Sequence, residues 1–221
     1  MRPKGRPGSS LKRLLASQGL APTIVKVQAG CVIFSQGDAA HDVMYVLKGY
    51  VKDSTFSKTR REAVVAIFGP GDFFGEACLT ESVRKKTAFA ITACTILVLN
   101  RTTVERLLRT SSAMVDRFVS HLVGRKTRAE ADLLDQLVSS AEQRLARALL
   151  LLPRRGQLAT VSQATLAAMV GTTRPRINML LKRFESLGLI DLDGGLTVKS
   201  SLLKMVLHDQ GDVRLAWLAN R

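Results

Sequence analysis

Three side chains in the last third of the sequence, Arg174, Arg176 and Asn178, are of the types that hold base edges in DNA. Arginine can bind guanine, and asparagine can bind adenine, through paired hydrogen bonds in the major groove. The three residues fall within the first turns of a helix that Thr173 can cap. The pattern therefore predicts a helix that reads base sequence.

The segment around these side chains has the pattern of two short helices joined by a tight turn. Ser162 can cap a first helix over Gln163–Val170, and Gly171 can supply the left-handed residue that ends it. Pro175 is tolerated in the first turn of the second helix, where its missing N–H costs nothing. Apolar or small residues stand wherever the two helices must pack, at Leu166, Ala167, Val170, Ile177 and Leu180. This is the packing requirement of a helix-turn-helix.

A short hairpin and further polar side chains complete the predicted DNA-binding unit. Two apolar stretches flank Asp193-Gly194-Gly195, a strong turn signal, and predict a wing. Gln163 and Lys182 are expected to meet phosphates rather than bases. The DNA-contacting side chains that the sequence predicts are Gln163, Thr172, Thr173, Arg174, Arg176, Asn178 and Lys182.

The charge of the chain favours a polyanionic partner, either a nucleic acid or an anionic membrane surface. The formal net charge is +15, and residues 143–184 contain no acidic residue. Residues 1–13 are also basic and form either a phosphate-contacting tail or a disordered end. No apolar run reaches the roughly 18 residues of a membrane span, and no signal-type apolar segment follows the basic N-terminus. The sequence thus predicts a cytoplasmic protein with no membrane partner.

The N-terminal half is predicted to be β structure. Between residues 24 and 100, short apolar runs alternate with turn signals such as Gly30, Gly37 and Gly49, which suits a sandwich or barrel. No metalloprotease, serine-hydrolase or phosphate-loop motif accompanies a suitable fold, so the sequence does not predict an enzyme.

The cysteines and histidines do not predict a metal site. Cys31, Cys78 and Cys94 stand far apart, and buried structural thiols are expected. The histidines stand alone along the chain and are expected in solvent or in a core, not as ligands. They are His41, His121 and His208.

A long helix with one narrow apolar stripe is predicted after the β structure. Between residues 112 and 138 the stripe runs over about 30 Å, interrupted by Lys126 and rimmed by charged residues such as Arg125. A stripe this narrow packs against a partner helix more often than against its own domain, so it predicts a homodimer. The interface residues that it predicts are Val115, Phe118, Leu122, Ala129 and Leu133.

These features together resemble the CRP/FNR family of transcription regulators over nearly the whole chain. The N-terminal resemblance rests on Gly30 and on three runs, Phe34-Ser35-Gln36-Gly37-Asp38, Tyr45-Val46-Leu47-Lys48-Gly49 and Gly71-Asp72-Phe73-Phe74-Gly75-Glu76. The C-terminal resemblance rests on the helix-turn-helix of residues 162–184. Their order, with a long helix between them, is highly specific.

The resemblance implies an α+β fold with an N-terminal double-stranded β-roll of the jelly-roll type, a long dimerisation helix and a C-terminal winged helix-turn-helix. The expected organisation is a basic tail and helix over residues 1–22, a cyclic-nucleotide-binding-like roll over 23–110, the dimerisation helix over 111–138 and the DNA-binding domain over 139–221. The implied partners are a second copy, a palindromic operator in double-stranded DNA, and RNA polymerase. In the family's cAMP receptor the recognition helix opens Arg-Glu, whereas Pro175 follows Arg174 here, so a different half-site is expected.

The resemblance also implies a nucleotide-binding cassette in the roll, a short segment that begins with Gly75 and Glu76 and ends with Lys86, Thr87 and Ala88. In cyclic-nucleotide-binding members the glutamate after the glycine accepts the ribose 2′-hydroxyl, while an arginine and a small hydroxyl residue hold the cyclic phosphate. Lys86 and Thr87 stand in those last two places, and lysine lacks the bidentate fork of arginine. Ala129 and Glu130 replace the Thr-Ser pair that meets adenine in the cAMP receptor. The candidate effector-binding residues are Gly75, Glu76, Ala77, Cys78, Lys86, Thr87 and Glu130.

The sequence leaves the effector open. A cyclic nucleotide (cAMP or cGMP), another small molecule, or no effector in a vestigial roll all fit, and no cofactor is certain. Iron–sulfur sensing is not supported, because the family's N-terminal cysteine cluster is absent. The alternative function is a cyclic-nucleotide-binding module that signals to a protein partner without DNA, and the arginines of the recognition helix argue against it.

Overall fold

The structure is a computed structural model of the chain, and it describes residues 7–20, 23–57, 62–151, 161–193 and 196–202. The chain divides into two compact units, Met1–Ala131 and Asp132–Arg221. Some sequence predictions fall outside the described ranges, namely those on residues 1–6 of the basic tail, on Gly194 and Gly195 of the wing turn, and on His208.

The first unit contains an antiparallel β-roll of two four-stranded sheets. Its strands are, in chain order, β1 Thr23–Val27, β2 Val32–Phe34, β3 Asp42–Lys48, β4 Val51–Phe56, β5 Glu62–Phe68, β6 Phe73–Phe74, β7 Thr87–Ala90 and β8 Cys94–Asn100. One sheet has the strand order β1-β8-β3-β6, and the other has the order β2-β7-β4-β5. The predicted roll is confirmed.

Apolar side chains from both sheets fill the roll. Val46 of β3 and Val51 of β4 are buried there together with three phenylalanines. The ring of Phe74 lies between the other two, with centroid distances of 6.2 Å to Phe34 and 5.5 Å to Phe68. Aromatic pairs at such distances add to the stabilisation from burial alone. This packed interior fixes the strands that carry the candidate cassette.

Helices flank the strands in sequence. They are α1 Pro7–Ser17, α2 Arg101–Thr110 and α3 Ser112–Val138, and a short 3₁₀ helix, Glu76–Leu79, follows β6. Asn100 ends β8 and begins α2, because its side-chain oxygen accepts a hydrogen bond from the N–H of Thr103 at 2.8 Å. One residue thus serves as the last of a strand and the cap of a helix.

The long helix α3 has two apolar faces. Met114 and Phe118 are buried in a second cluster, which β3 and β8 form with the flanking helices α1 and α2, and the ring of Phe118 meets that of Phe73 edge-on with centroids 5.4 Å apart. The other face is exposed, and its apolar side chains are Val119, Leu122, Val123, Leu133, Leu134, Leu137 and Val138. Phe118 therefore belongs to this core of the first unit, and its placement in the outward stripe was wrong. Phe118 and Leu122, four residues apart, are neighbours on the helix surface, so spacing alone could not separate their roles.

The second unit continues with helices α4 Ala141–Leu151, α5 Gln163–Val170 and α6 Arg174–Ser186, and with the strands β9 Ile190–Asp191 and β10 Thr197–Val198. The strands β9 and β10 pair antiparallel, with Ile190 opposite Val198. The five positions at which the sequence required helix packing are all buried in one cluster, namely Leu166, Ala167, Val170, Ile177 and Leu180. The predicted helix-turn-helix and wing are confirmed.

Candidate functional site

The turn between α5 and α6 is set by a cap and by one left-handed residue. The Ser162 hydroxyl accepts a hydrogen bond from the N–H of Thr165 at 3.1 Å. Gly171 has a φ of +69°, and a Cβ at this position would lie 3.1 Å from the side-chain oxygen of Gln136. Glycine adopts such a backbone conformation without strain. Thr173 stands in extended conformation at the N-cap of α6, but its side chain makes no capping hydrogen bond.

The first turns of α6 carry polar side chains into solvent above a buried apolar face. The exposed residues on this helix and its N-cap include the predicted DNA contacts Thr173, Arg174, Arg176, Asn178 and Lys182. Thr172 is half-buried, as is Gln163 on α5, whose side-chain Nε2 donates to Oδ1 of Asn178 at 3.5 Å. The structure therefore brings Gln163 and Asn178 together. A helix with this surface has the chemistry to enter a major groove.

A left-handed glycine also shapes the cassette of the roll. Gly75 has a φ of +72° and precedes the 3₁₀ helix. The guanidinium of Arg84 holds this turn, since Nη1 donates to the carbonyl of Gly75 and Nη2 to the carbonyl of Asp42, each at 2.8 Å. Its Cζ also lies 4.3 Å from the ring centroid of Phe34. A Cβ on residue 75 would lie 2.7 Å from Nη1 of this buried arginine, so the turn requires glycine. Sequence reasoning gave Arg84 no role, because no motif marks it.

Glu76, the candidate ribose acceptor, is held by a cation of α3. Its Oε1 forms an ion pair with Nη1 of Arg125, and that guanidinium also lies 4.9 Å from the ring centroid of Phe68. The other carboxylate oxygen, Oε2, is buried without a hydrogen-bond partner in the described part of the chain. Sequence reasoning placed Arg125 on the charged rim of the stripe and so missed this contact.

The candidate phosphate contacts lie at the start of β7. Thr87 is buried, and its hydroxyl accepts a hydrogen bond from the N–H of Gln36 at 3.0 Å. Lys86 is half-buried, and its charge acts on Asp53 of β4. Burial raises the pKa of Asp53 to about 6, against the opposing effect of Lys86. Sequence reasoning missed Asp53, because polar residues occupy all of positions 52–55 and no alternation marks it as inward.

The remaining candidate effector residues lie in different surroundings. Ala77 is exposed, and Cys78 is buried in the same cluster as Phe118, where burial raises the pKa of its thiol. Glu130 is exposed on α3 and forms an ion pair with Lys126 at 3.0 Å. The structure thus places Gly75, Glu76 and Cys78 in one turn but gives Glu130 a partner on its own helix.

Comparison with known proteins identifies both parts of the chain. One family model, a cyclic nucleotide-binding domain, matches residues 24–111, and another, a Crp-like helix-turn-helix domain, matches residues 143–201. The HTH-type transcriptional regulator Cmr of Mycobacterium tuberculosis is 38% identical over 186 residues, which are 82% of this chain and 75% of that protein. The cyclic AMP receptor protein of Thermus thermophilus is 33% identical over 171 residues, which are 75% of this chain and 78% of that protein. The chain belongs to the CRP/FNR family of transcription regulators.

The fold and the function of this CRP/FNR regulator follow from the same findings. FixK2 from Bradyrhizobium japonicum has the same fold, with a TM-score of 0.74 at 20% identity, over 84% of this chain and 97% of that one. The chain is a DNA-binding transcription regulator. The findings do not support the alternative of a module that signals to a protein partner without DNA. One named relative is a transcriptional regulator and the other is a receptor protein, and neither name is that of an enzyme.

Cysteines and histidines of the CRP/FNR regulator partly follow the sequence predictions. Cys78 and Cys94 are buried, but Cys31 is exposed, so the expectation of a buried thiol was wrong there. The ring of His121 packs edge-on against Phe73 with centroids 5.5 Å apart, and burial lowers its pKa. Within the described ranges, no three His, Cys, Asp or Glu residues are grouped to hold a metal ion. None of the helices described there is long and apolar enough to cross a membrane.

Proposed function

We propose that this regulator binds an inverted-repeat operator as a homodimer, with Arg174, Arg176 and Asn178 of each α6 contacting base edges. The observation that supports this is the exposure of all three side chains on a helix whose other face is buried. Each well-placed bidentate contact discriminates against a wrong base by about 1–3 kcal/mol. The two recognition helices of such a dimer would lie about 34 Å apart, one turn of DNA.

The other predicted DNA contacts have supporting roles in this proposal. Thr172 and Thr173 lie at the N-terminus of α6, where hydroxyls and backbone N–H groups suit a phosphate. Lys182, further along the helix, contacts phosphate as a point charge. Gln163 orients the carboxamide of Asn178 through the hydrogen bond between them. RNA polymerase, which the resemblance implies as a partner, stays a prediction.

The proposed dimer contact is the exposed apolar face of α3. Leu122 and Leu133 are 38% and 61% exposed in the single chain, and Val119 is 49% exposed. Ala129 is exposed on the same side, and Val115 is half-buried. An apolar helix face of this length is typical of a surface that a partner helix covers.

Binding of a cyclic nucleotide in the roll is a second candidate function. The observation that favours it is the buried, unpartnered Oε2 of Glu76, which can accept a hydrogen bond from a ribose 2′-hydroxyl. Lys86 and Thr87 would hold the cyclic phosphate by charge and by hydrogen bond. The cyclic nucleotide-binding domain model, which covers these residues, and the relative named as a cyclic AMP receptor protein support the same ligand class.

Binding-site selection from a random DNA library tests the DNA-reading proposal. Arg174→Ala and Arg176→Ala are each expected to lose about 1–3 kcal/mol at one matched base and to relax the preference there. Lys182→Ala is the control, because loss of a phosphate contact should weaken all sequences alike and reduce the salt slope by about one. If both arginine variants select the parent half-site with undiminished preference, these two residues do not contact the base edges.

Calorimetric titration with cAMP and cGMP tests the second candidate function. Glu76→Ala and Thr87→Ala should each weaken binding by about 1–3 kcal/mol, since each removes one hydrogen-bond partner of the ligand. Lys86→Arg should tighten binding by restoring a bidentate contact to the phosphate. Absence of binding at millimolar nucleotide would show that the roll does not take this ligand class.

A further inference from the structure

The carboxylate of Asp53 lies on the inward face of its sheet. Along β4, Val51 is buried in the core between the sheets, and Asp53, two residues later, is 6% exposed on the same side of the strand. Lys52 lies on the opposite side, where its Nζ pairs with Glu62 at 2.6 Å and lies 5.2 Å from the ring centroid of Phe89. The strand therefore carries a cation on its outer face and an acid inside the roll.

Small side chains flank Asp53 on both neighbouring strands. It stands opposite Ala88 of β7 and opposite Ala66 of β5. Ala88 follows directly after Lys86 and Thr87, so Asp53 lies next to the strand that carries the candidate phosphate contacts. Alanines on both sides leave the carboxylate with no neighbouring side chain in register that could donate a hydrogen bond to it.

Charged side chains surround the carboxylate, and one of its two oxygens lacks a hydrogen-bond partner. The cations Lys86, Arg125 and Arg84 act on it, as does the anion Glu76. Its Oδ1 is buried without a hydrogen-bond partner among the described residues. Burial raises the pKa of Asp53 only to about 6, so the group is ionised at pH 7 and above. A buried ionised acceptor without a donor is destabilising for the roll, and such groups are concentrated at ligand sites.

We propose that Asp53 selects the base of the ligand, and that this base is guanine. The inference rests on the cyclic-nucleotide binding proposed above and adds the identity of the base. An ionised carboxylate only accepts hydrogen bonds, and it can accept two in parallel. Guanine offers two adjacent donors, N1–H and the 2-amino group. Adenine offers one amino group, and beside it the ring nitrogen N1. This nitrogen is a hydrogen-bond acceptor, so a carboxylate repels it. Asp53 is a specificity-determining residue in this assignment, and Glu76, Lys86 and Thr87 remain the contacts common to both nucleotides.

Titration of the purified full-length chain with cGMP and cAMP tests the proposal. The parent should bind cGMP at least about tenfold more tightly than cAMP, as sites do that require a ligand donor. Asp53→Ala should bring the ratio of the two dissociation constants close to one. Asp53→Asn, which offers one acceptor and one donor, should reverse the preference toward adenine. Glu62→Gln is the matched control, since it removes an acidic charge from the outer face of the same sheet and should leave the ratio unchanged.

The outcomes separate this inference from the function on which it rests. Equal binding of both nucleotides by the parent, or a preference for cGMP that survives Asp53→Ala, would overturn the role of Asp53 and leave nucleotide binding intact. Equal tightening of both nucleotides in Asp53→Ala would also overturn it, because Asp53 would then act by repelling the phosphate. Binding of neither nucleotide would overturn both proposals. Asp53→Asn keeps the size of the side chain, so the test stands even if Asp53→Ala fails to fold.

Discussion

Arg125 of the long helix forms an ion pair with Glu76 of the cassette turn. The carboxylate that we propose as the ribose acceptor therefore also contacts the helix that we propose as the dimer interface. Both side chains are about one-fifth exposed, at 20% and 18%, so water screens the pair only in part. A ligand at Glu76 would act directly on a residue of α3, which gives the roll a physical contact through which binding can affect that helix.

The ion pair between Glu76 and Arg125 should contribute to the stability of the roll. Arg125→Met is expected to lower the free energy of unfolding by about 3 kcal/mol, because it leaves a largely buried carboxylate without its partner. Tyr45 and Tyr50 are the two tyrosines of the chain and both belong to the roll, so tyrosine fluorescence during urea unfolding reports on this unit.

The double variant Glu76→Gln with Arg125→Met is the control for that experiment. It removes both charges together and should recover most of the lost stability. A change below about 0.5 kcal/mol in Arg125→Met alone would mean that the pair is effectively a surface contact.

The pH dependence of stability should reveal the buried charge of Asp53. Burial raises its pKa to about 6, while Lys86, Arg125 and Arg84 oppose that rise and Glu76 adds to it. The folded state then binds the proton more tightly than the unfolded state, so this group makes stability fall as the pH rises from about 4 to about 6. At pH 7.5, Asp53→Asn should raise the free energy of unfolding by up to about 3 kcal/mol, because no charge is then buried.

Urea unfolding of the parent and of Asp53→Asn at several pH values measures this difference. The difference should shrink as the pH falls and approach zero below about pH 3, where the carboxyl group is protonated in both states. Glu62→Gln serves as the comparison and should show no such convergence. A parent and an Asn variant of equal stability at pH 7.5 would show that the carboxylate is solvated or neutral.

Neighbouring residues of α3 should respond differently to substitution. Phe118→Ala is expected to destabilise the roll by about 3–5 kcal/mol, since it removes a buried ring from the contact with Phe73. Leu122→Glu should instead convert a dimer into monomers in sedimentation velocity, with little loss of stability in each chain. This assignment of the two faces would be wrong if the Phe118→Ala variant were monomeric with a fully stable roll. It would also be wrong if the Leu122→Glu variant remained a dimer.

Two glycine-to-alanine substitutions should change stability in opposite directions. Gly171→Ala should weaken the helix-turn-helix by about 1–2 kcal/mol, because φ is +69° there and the added Cβ would crowd Gln136. Gly124→Ala, within α3, meets no atom within 4 Å and should stabilise the helix by about 0.5–1 kcal/mol. Hydrogen exchange of peptides from residues 163–186 and 112–138 measures each effect locally. Faster exchange in Gly124→Ala, or no change in Gly171→Ala, would show that backbone conformation does not decide these sites.

The sequence by itself determined the elements whose signals are local. The helix-turn-helix depends on an N-cap, a left-handed glycine and apolar residues at helical spacing, all within 162–184, and every predicted packing position is buried. The wing and the roll follow in the same way from turn residues and apolar runs. Such signals can be recognised in the sequence alone, because the period of a helix or strand and the conformational freedom of glycine act over a few residues.

Only the tertiary structure decided which side chains meet across the fold. Glu76 and Arg125 are 49 positions apart, and no motif links them. Phe118 faces the roll and Val119 faces solvent because Phe73 occupies one side of α3. Asp53 resembles any polar strand residue until both sheets close around it, and its charge becomes costly only when water is removed. Contacts between residues distant in the sequence depend on how the chain packs, and the local periodicity of the sequence does not predict that packing.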